Sequence, residues 1–184
     1  LIPGGFGNRG IEGMILAAKY AREHQIPYFG ICLGMQIAVI EYARNVVGIK
    51  DANSGEFDEQ CKHKVINFMP GQNDNIDKGG TLRLGAYPCN IQAGTTMHRC
   101  YGVDTISERH RHRYEFNNDY REQITLSGLT VSGTRNSKAA RTDHILSSKD
   151  LFRQLSHIKA EVIYEYTRRM RGIRRHLTKT CRRR

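Results

Sequence analysis

A sequence of 184 residues, 39% of them hydrophobic, can bury the core of one globular domain, and it has no apolar run near the roughly 18 residues of a membrane-spanning helix. Its five cysteines are widely spaced without a C-x-x-C pair, which argues against a disulfide framework and a zinc knuckle and favours the cytoplasm. The net charge of +11 arises in residues 131–184, which hold 15 Lys/Arg and 4 Asp/Glu, whereas residues 1–130 are balanced.

The first 45 residues alternate between strand-like and helix-like patterns. Residues 1–10 are predicted to be the end of a buried strand followed by a glycine-rich loop. Apolar residues recur at helical spacing over 11–24, and 26–31 is a short strand-like run with Pro27 at its head. A second helix is predicted over 33–44. This order is typical of an α/β fold in which helices flank a parallel sheet.

The remainder of the chain is less regular. Residues 46–102 are predicted to be loops and short extended pieces, and 105–132 to contain a strand–helix–strand portion. Residues 133–149 have the polarity of a loop or linker. Beyond them apolar residues recur every three or four positions, which predicts a basic amphipathic helix over 150–179.

The chain therefore divides at the change in charge, into a domain of residues 1–133 and a divergent basic tail of residues 134–184. The sequence starts at Leu1, without an initiator methionine or a secretory pattern. We accordingly expect an N-terminally truncated piece of a longer protein.

Cys32 lies where the second predicted strand meets the second helix, between Gly30 and Gly34. A thiol at a helix N-terminus has a lowered pKa, because the helix dipole and nearby N–H groups favour the thiolate. The flanking glycines allow a sharp turn like a nucleophile elbow, with the Leu33 N–H directed toward an attacked carbonyl. The alternative is a small buried core residue, and the G-x-C-x-G pattern alone does not decide between the two.

Further segments support the reactive interpretation of Cys32. They are PGGFGNRGIEGM (3–14), GICLGMQ (30–36), NSGEF (53–57), GGTLRLG (79–85) and ERHRHRYE (108–115). Over residues 1–133 the sequence resembles, in these segments and in this order, the glutaminase domain of CTP synthases, a class I glutamine amidotransferase. The resemblance implies a flavodoxin-like parallel sheet flanked by helices.

The resemblance also implies a reaction, the hydrolysis of L-glutamine to glutamate and ammonia with Cys32 as the nucleophile that forms a thioester. The implied oxyanion donors are the N–H groups of Gly5 and Leu33, and the implied glutamine contacts are Gln36, Glu56 and Arg113. These residue types suit the chemistry, because an arginine and a glutamate can pair the carboxylate and ammonium of a free amino acid. The alternatives are a helix-surface glutamine, a loop carboxylate and a strand-edge arginine.

In the family, ammonia passes to an upstream synthetase domain that uses ATP and Mg to convert UTP to CTP. That domain and L-glutamine are therefore the expected partners, in a homo-oligomeric full-length enzyme, with no cofactor in the glutaminase domain itself. Arg83 resembles a residue that the family links to activation by GTP. Gly55 stands where the family usually has threonine, which loosens the assignment of Glu56.

One family feature is missing, the histidine followed two residues later by glutamate that serves as the base beside the cysteine. None of the eight histidines has Glu or Asp at the second following position. A shifted reading frame or wrong splice after residue 133 would explain both the loss and the basic tail; a genuine tail with a new partner is the alternative. In the second case His144, or His157 with Glu161, would have to replace the lost pair. Without any base, the chain would be a catalytically impaired glutamine-binding fragment.

Two further classes of site are considered. The arginine-rich tail could bind nucleic acid, but few aromatic residues interleave its charges, so nucleic acid is not the expected partner. Cys61 and His63 offer two metal ligands without a second pair at ligand spacing, so no metal site is predicted.

Overall fold

A computed structural model describes residues 1–68, 83–134 and 144–148. In these ranges the chain forms, in order, α1 (Ile11–Glu23), α2 (Leu33–Tyr42), a π-helical turn (Ala43–Val47), β1 (Ala52–Ser54), β2 (His63–Phe68), β3 (Arg83–Ile91), α3 (Thr96–Tyr101), β4 (Thr105–His112), β5 (Tyr114–Phe116), a 3-10 turn (Asn118–Tyr120), α4 (Arg121–Leu126), β6 (Leu129–Thr134) and β7 (His144–Ser148).

The two predicted helices of the first 45 residues are confirmed. Helix α1 buries one stripe, Ile11, Ile15, Ala18 and Ala21, and leaves its opposite face in solvent, as its apolar spacing predicts. Helix α2 is buried along almost its whole length, because it lies between α1 and the strands. It continues into the π-helical turn, which ends at Gly48 with φ 89°.

Two ion pairs join α1 to the region of α2. The Arg22 guanidinium donates hydrogen bonds to the Glu41 carboxylate. The distance is 2.8 Å between Nη2 and Oε1 and 3.0 Å from Nε to each carboxylate oxygen. Glu41 is only 3% exposed, and this hydrogen bonding raises the pKa of Arg22. At the other end of α1, Arg44 bonds Glu12 at 2.9 Å and the carbonyl of Ala52 at 2.7 Å. Helix α1 is thus tied near both of its ends to the C-terminal end of α2 and to the turn that follows it.

The strands form two sheets, one ordered β1-β2-β5 and the other β4-β3-β6-β7. Parallel pairing, which the sequence predicts throughout, is found between β1 and β2 and in the isolated bridge of Ile2 with Gly30. The remaining pairs are antiparallel. The strand predicted at 26–31 is reduced to that single bridge. The strand–helix–strand prediction for 105–132 is confirmed by β4, α4 and β6.

The prediction of a loop over 133–149 is wrong for its second half. Strand β7 pairs antiparallel with β6, from Leu129 opposite Ser148 to Thr134 opposite His144. The pairing explains the discrepancy, because β6 supplies hydrogen-bond partners that local polarity does not reveal. The amphipathic helix predicted over 150–179 lies outside the described residues. Within the described residues, no helix has the length and apolar character needed to cross a bilayer.

Candidate active site

Cys32 occupies a sharp turn at the start of α2. Its φ of 54° and ψ of −105° lie where side-chain-bearing residues are rare, and such strain is concentrated at functional sites. The side chain is half-buried, so it is not the fully enclosed core residue of the alternative interpretation. The turn places the thiol at the N-terminus of a helix, the environment that favours a thiolate.

Gly30 and Gly34 bring three backbone segments into contact around this turn. A Cβ atom at Gly30 would lie 2.5 Å from the carbonyl carbon and oxygen of Gly34. A Cβ atom at Gly34 would lie 2.3 Å from the carbonyl oxygen of Ile2. Since no carbon can approach that closely, the absent side chains are what allow the strand ends and the first turn of α2 to pack together.

The glycine-rich loop lies over the cysteine. A Cβ atom at Gly4 would lie 3.9 Å from the Cys32 sulfur, and one at Gly5 would lie 3.0 Å from Cδ2 of Leu33. Among the described residues, the N–H groups of Gly5 and Leu33 have no hydrogen-bond acceptor. The two N–H groups that the family resemblance assigns to an oxyanion hole thus lie, without an acceptor among the described residues, on the segments that meet at the thiol.

Glu56 forms a hydrogen bond with the same glycine-rich loop. Its Oε1 accepts a hydrogen bond of 2.9 Å from the N–H of Gly7. Its own N–H donates to the hydroxyl of Ser54, which is fully buried at the end of β1, at 3.1 Å. Glu56 is half-buried. The carboxylate thus contacts the glycine-rich loop that lies over Cys32.

Gln36 and Arg113 meet at Tyr114. Gln36 is 4% exposed, and its Nε2 donates to the carbonyl of Tyr114 at 3.0 Å, so it is not a helix-surface residue. The Arg113 guanidinium lies 5.0 Å from the centroid of the Phe68 ring and 6.0 Å from that of Tyr114. The two rings are themselves 4.4 Å apart. Tyr114 therefore connects the two predicted glutamine contacts, through its backbone carbonyl to Gln36 and through its ring to Arg113.

Sequence reasoning did not find Tyr114, Phe68 or Ser54 as members of this site. Tyr114 is 78 residues from Gln36 along the chain, and its contribution is a backbone carbonyl that any residue could supply. An aromatic ring beneath an arginine and a buried serine at a strand end likewise have no distinguishing local pattern. The pairing of β2 with β5 places Phe68 opposite Tyr114, and the pairing of β1 with β2 brings Ser54 into the same sheet.

The histidines whose side chains are described are engaged away from Cys32. His24 bonds the carbonyl of Tyr20 at 2.9 Å, His63 bonds the hydroxyl of Tyr120 at 3.1 Å, and His98 pairs with Asp104 at 2.9 Å. Of the predicted substitutes for the missing base, His144 is the first residue of β7, and His157 and Glu161 lie outside the described residues. Arg83 is the first residue of β3.

Two other features of the described residues bear on the site. No three His, Cys, Asp or Glu side chains among them gather where they could hold a metal ion. A surface depression of about 350 Å³ opens at the start of α1, lined by Asn8, Gly10, Ile11, Glu12, Gly13, Asn53 and Phe57. It lies along the glycine-rich loop, and Cys32 is not among its lining residues.

Comparison with known proteins places these observations in context. Residues 1–148 match the family described as glutamine amidotransferase class-I. The CTP synthase of Moorella thermoacetica is 60% identical over 134 residues, which are 73% of this chain and 25% of that protein. The CTP synthase of Caldanaerobacter subterraneus subsp. tengcongensis is 57% identical over 150 residues, which are 82% of this chain and 28% of that protein. The chain thus spans about a quarter of the length of these curated relatives.

A solved structure described as the Trypanosoma brucei CTPS glutaminase domain with bound acivicin has a TM-score of 0.73 and 41% identity. The superposition covers 79% of this chain and 56% of that one. It confirms the class I amidotransferase fold that the sequence segments imply, although the described sheets are mixed and not wholly parallel. The family match includes all six candidate site residues and continues past residue 133 through β7.

Proposed function

Since the chain belongs to the class I glutamine amidotransferases, we propose that it is the glutaminase portion of a CTP synthase and acts on L-glutamine through Cys32. The observation that carries the proposal is the turn at Cys32. A cysteine with φ 54° begins a helix, its sulfur lies beneath the glycine-rich loop, and the Leu33 N–H beside it has no acceptor among the described residues. This combination suits attack on a carbonyl carbon.

In the proposed reaction, the Cys32 thiolate attacks the side-chain carbonyl carbon of glutamine and a C–S bond forms. The negative charge that moves to the oxygen accepts hydrogen bonds from the N–H groups of Gly5 and Leu33, each worth about 3 kcal/mol in such sites. When the tetrahedral species collapses, the C–N bond breaks and the nitrogen leaves as ammonia after taking up a proton. Water then attacks the thioester carbonyl, which releases glutamate and restores the thiol.

Substrate binding follows from the two charges of a free amino acid. Glu56 supplies an anion beside the glycine-rich loop for the ammonium group, and Arg113 supplies a cation for the carboxylate. The Phe68 and Tyr114 rings that flank the guanidinium support its orientation. Gln36 is directed by its bond to the Tyr114 carbonyl, so its amide oxygen remains to accept from the substrate.

A second candidate function is glutamine binding with little hydrolysis. It is favoured by one observation, that no histidine in the sequence is followed two residues later by Glu or Asp. In enzymes whose nucleophile and base act as a unit, loss of one member lowers the rate by about 10⁴ or more. The two candidates share the same pocket and differ in whether ammonia is released.

The fate of the ammonia lies in another part of the protein. Because the chain spans about a quarter of its CTP synthase relatives, the acceptor chemistry belongs to a partner domain. We assign that domain the ATP- and Mg-dependent amination of UTP, within a homo-oligomeric enzyme. Activation by GTP through Arg83 is part of the same proposal.

The test is covalent labelling with acivicin, an electrophilic glutamine analogue, followed by peptide mapping. We expect one adduct, on Cys32, that L-glutamine competes away and that disappears in Cys32→Ser. Cys61→Ser is the matched control, since Cys61 is also half-buried but lies outside the site, and it should be labelled like the unaltered chain. Labelling distributed over Cys61 and Cys100 would overturn the proposal.

Calorimetry with L-glutamine, run beside an ammonia assay, separates the two candidates. Heat of binding together with ammonia release favours the glutaminase. Binding without ammonia release favours the glutamine-binding domain. If neither binding nor ammonia release is detected, the proposed glutamine pocket is rejected.

A further inference from the structure

Tyr28 forms a hydrogen bond at the first turn of α2 that helix formation does not require. Its hydroxyl donates to the carbonyl of Gly34 at 2.6 Å, and the side chain is 4% exposed. Within an α-helix, the carbonyl of Gly34 is the regular acceptor for the N–H of Ala38. The tyrosine therefore adds a second donor to a carbonyl that lies two residues after Cys32.

The Gly34 peptide is enclosed on its other sides as well. Its Cα faces the carbonyl oxygen of Ile2, and its carbonyl faces the Cα of Gly30, both at distances that exclude a Cβ atom. Directly before it, the carbonyl of Cys32 accepts from Met35 at 3.0 Å and from Gln36 at 3.2 Å. The first turn of α2 is thus fixed by backbone contacts on two sides and by the Tyr28 hydroxyl on a third.

The surroundings of Tyr28 keep its hydroxyl protonated, so that it remains a hydrogen-bond donor. Burial raises the pKa of the Tyr28 phenol, and the nearby Glu41 carboxylate raises it further. Glu41 is held in place by Arg22 of α1. The hydroxyl consequently retains its proton throughout the neutral range, where a thiolate mechanism would operate.

We propose that Tyr28 is a positioning residue that holds the first turn of α2 so that the Leu33 N–H is aimed at the oxyanion that forms on the substrate when Cys32 attacks it. The inference rests on the proposed function, because the oxyanion arises only if Cys32 attacks a carbonyl-like carbon. The Gly34 carbonyl and the Leu33 N–H belong to the same first turn of α2, so a displacement of that turn on loss of the tyrosine bond would also displace the Leu33 N–H. Tyr28 acts through this turn and does not contact the substrate.

Tyr42 provides a matched control. It is also 4% exposed, and its hydroxyl also donates to a backbone carbonyl, that of Ser127. It lies at the opposite end of α2 from Cys32. Tyr28→Phe and Tyr42→Phe each remove one buried hydroxyl, so each should lower the melting temperature by a few degrees. Only Tyr28→Phe should affect the cysteine.

The chemical test compares two electrophiles on Cys32. Acivicin reacts by addition of sulfur to its C=N carbon and loss of chloride, and the negative charge that develops on the ring nitrogen during the addition is one that the same N–H donors would stabilise. Iodoacetamide reacts by direct displacement of iodide and does not. In Tyr28→Phe we expect acivicin labelling to slow by roughly threefold to tenfold, the range that one hydrogen bond can supply. The rate with iodoacetamide and the affinity for L-glutamine should stay unchanged, as should all three quantities in Tyr42→Phe.

A structural readout keeps the test independent of glutamine chemistry. Amide hydrogen exchange in the peptide covering residues 29–38 should become faster in Tyr28→Phe and remain unchanged in Tyr42→Phe. If Tyr28→Phe is labelled by acivicin at the rate of the unaltered chain, the inference is overturned while the proposed function stands. If acivicin does not label Cys32 in the unaltered chain, the proposed function fails. Exchange that is equal in both variants overturns the positioning role in either case.

Discussion

The two sides of the candidate site are held together in different ways. On the cysteine side, Ile2, Gly30 and Gly34 meet through their backbones, and no side chain separates them. The substrate-contact wall, made of Gln36 and Glu56, is instead held by polar bonds of these side chains, to the Tyr114 carbonyl and the Gly7 N–H. The cysteine side should therefore be damaged by added atoms, whereas the substrate-contact wall should be damaged by the removal of polar atoms.

The largest effect is expected from Gly34→Ala. The new Cβ atom would lie 2.3 Å from the Ile2 carbonyl oxygen, which is backbone and cannot move aside without shifting the strand end. We expect a loss of about 3 kcal/mol in the free energy of unfolding, the upper part of the range for overpacking. Thermal unfolding should show a melting temperature lower by about 10 °C, and acivicin labelling of Cys32 should fall with it.

Gly13→Ala is the control for this change. Gly13 is exposed within α1, and a Cβ atom there meets nothing within 4 Å. Alanine should stabilise the helix by about 0.5–1 kcal/mol, so the same substitution changes sign between the two sites. Equal responses of the two variants would show that close backbone packing does not define the cysteine side.

An intermediate effect is expected from Gln36→Leu in the substrate-contact wall. Leucine fills a similar volume but removes the N–H group that donates a hydrogen bond to the buried Tyr114 carbonyl. We expect the free energy of unfolding to fall by about 2 kcal/mol. Gln123→Leu on the exposed face of α4 is the control and should change stability by less than about 0.5 kcal/mol. Denaturant unfolding of the two variants measures the difference, and calorimetry should show weaker L-glutamine binding only for Gln36→Leu. Matching stabilities would contradict the role of this bond.

A smaller effect on stability is expected when Glu56 is changed. Glu56→Ala removes the acceptor for the Gly7 N–H and should cost about 1 kcal/mol, whereas Glu56→Gln keeps an oxygen acceptor and should cost less. Both changes remove the negative charge proposed for the substrate ammonium, so both should weaken L-glutamine binding. If Glu56→Gln binds glutamine as well as the unaltered chain, the carboxylate does not pair with the ammonium.

The smallest effect is expected from Gly55→Thr, which introduces the residue that the resemblance to CTP synthases implies at this position. A Cβ atom there would lie 3.3 Å from Asn67 Oδ1 and 3.5 Å from Cδ of Lys64, which is tight but not forbidden. The reduced freedom of the unfolded chain offsets this contact, so the net change should stay within about 1 kcal/mol. A loss above about 2 kcal/mol would mean that this wall, like the cysteine side, is limited by space.

The contrast between the two sides also explains how much could be predicted from the sequence. Helices α1 and α2 and the turn at Cys32 follow from apolar spacing and glycine positions within 45 residues, and the structure agrees. Gly5, Glu56 and Arg113 were identified through a resemblance in short segments and not through periodicity. The residues that hold the substrate-contact wall were not predicted, because Tyr114 and Phe68 are brought beside each other only by the antiparallel pairing of β2 with β5.

The second sheet shows the same limitation. Strand β3 is nine residues long but contains Gly85 and Pro88, which interrupt the local strand signal, and β4 supplies most of its pairing. Helix α3 has six residues, too few to display a helical period. Strand β7 is short and surrounded by polar residues. Each of these elements depends on distant partners, which a single sequence does not reveal.

The pairing of β7 with β6 bears on how the chain can be shortened. Residues 144–148 cover one side of β6 along nearly its whole length. A chain cut at residue 133 would leave the N–H and C=O groups of that side open, and an unprotected strand border is a template for self-association. Shortened versions for crystallisation or solution studies should therefore retain the sequence through Ser148 to remain monodisperse.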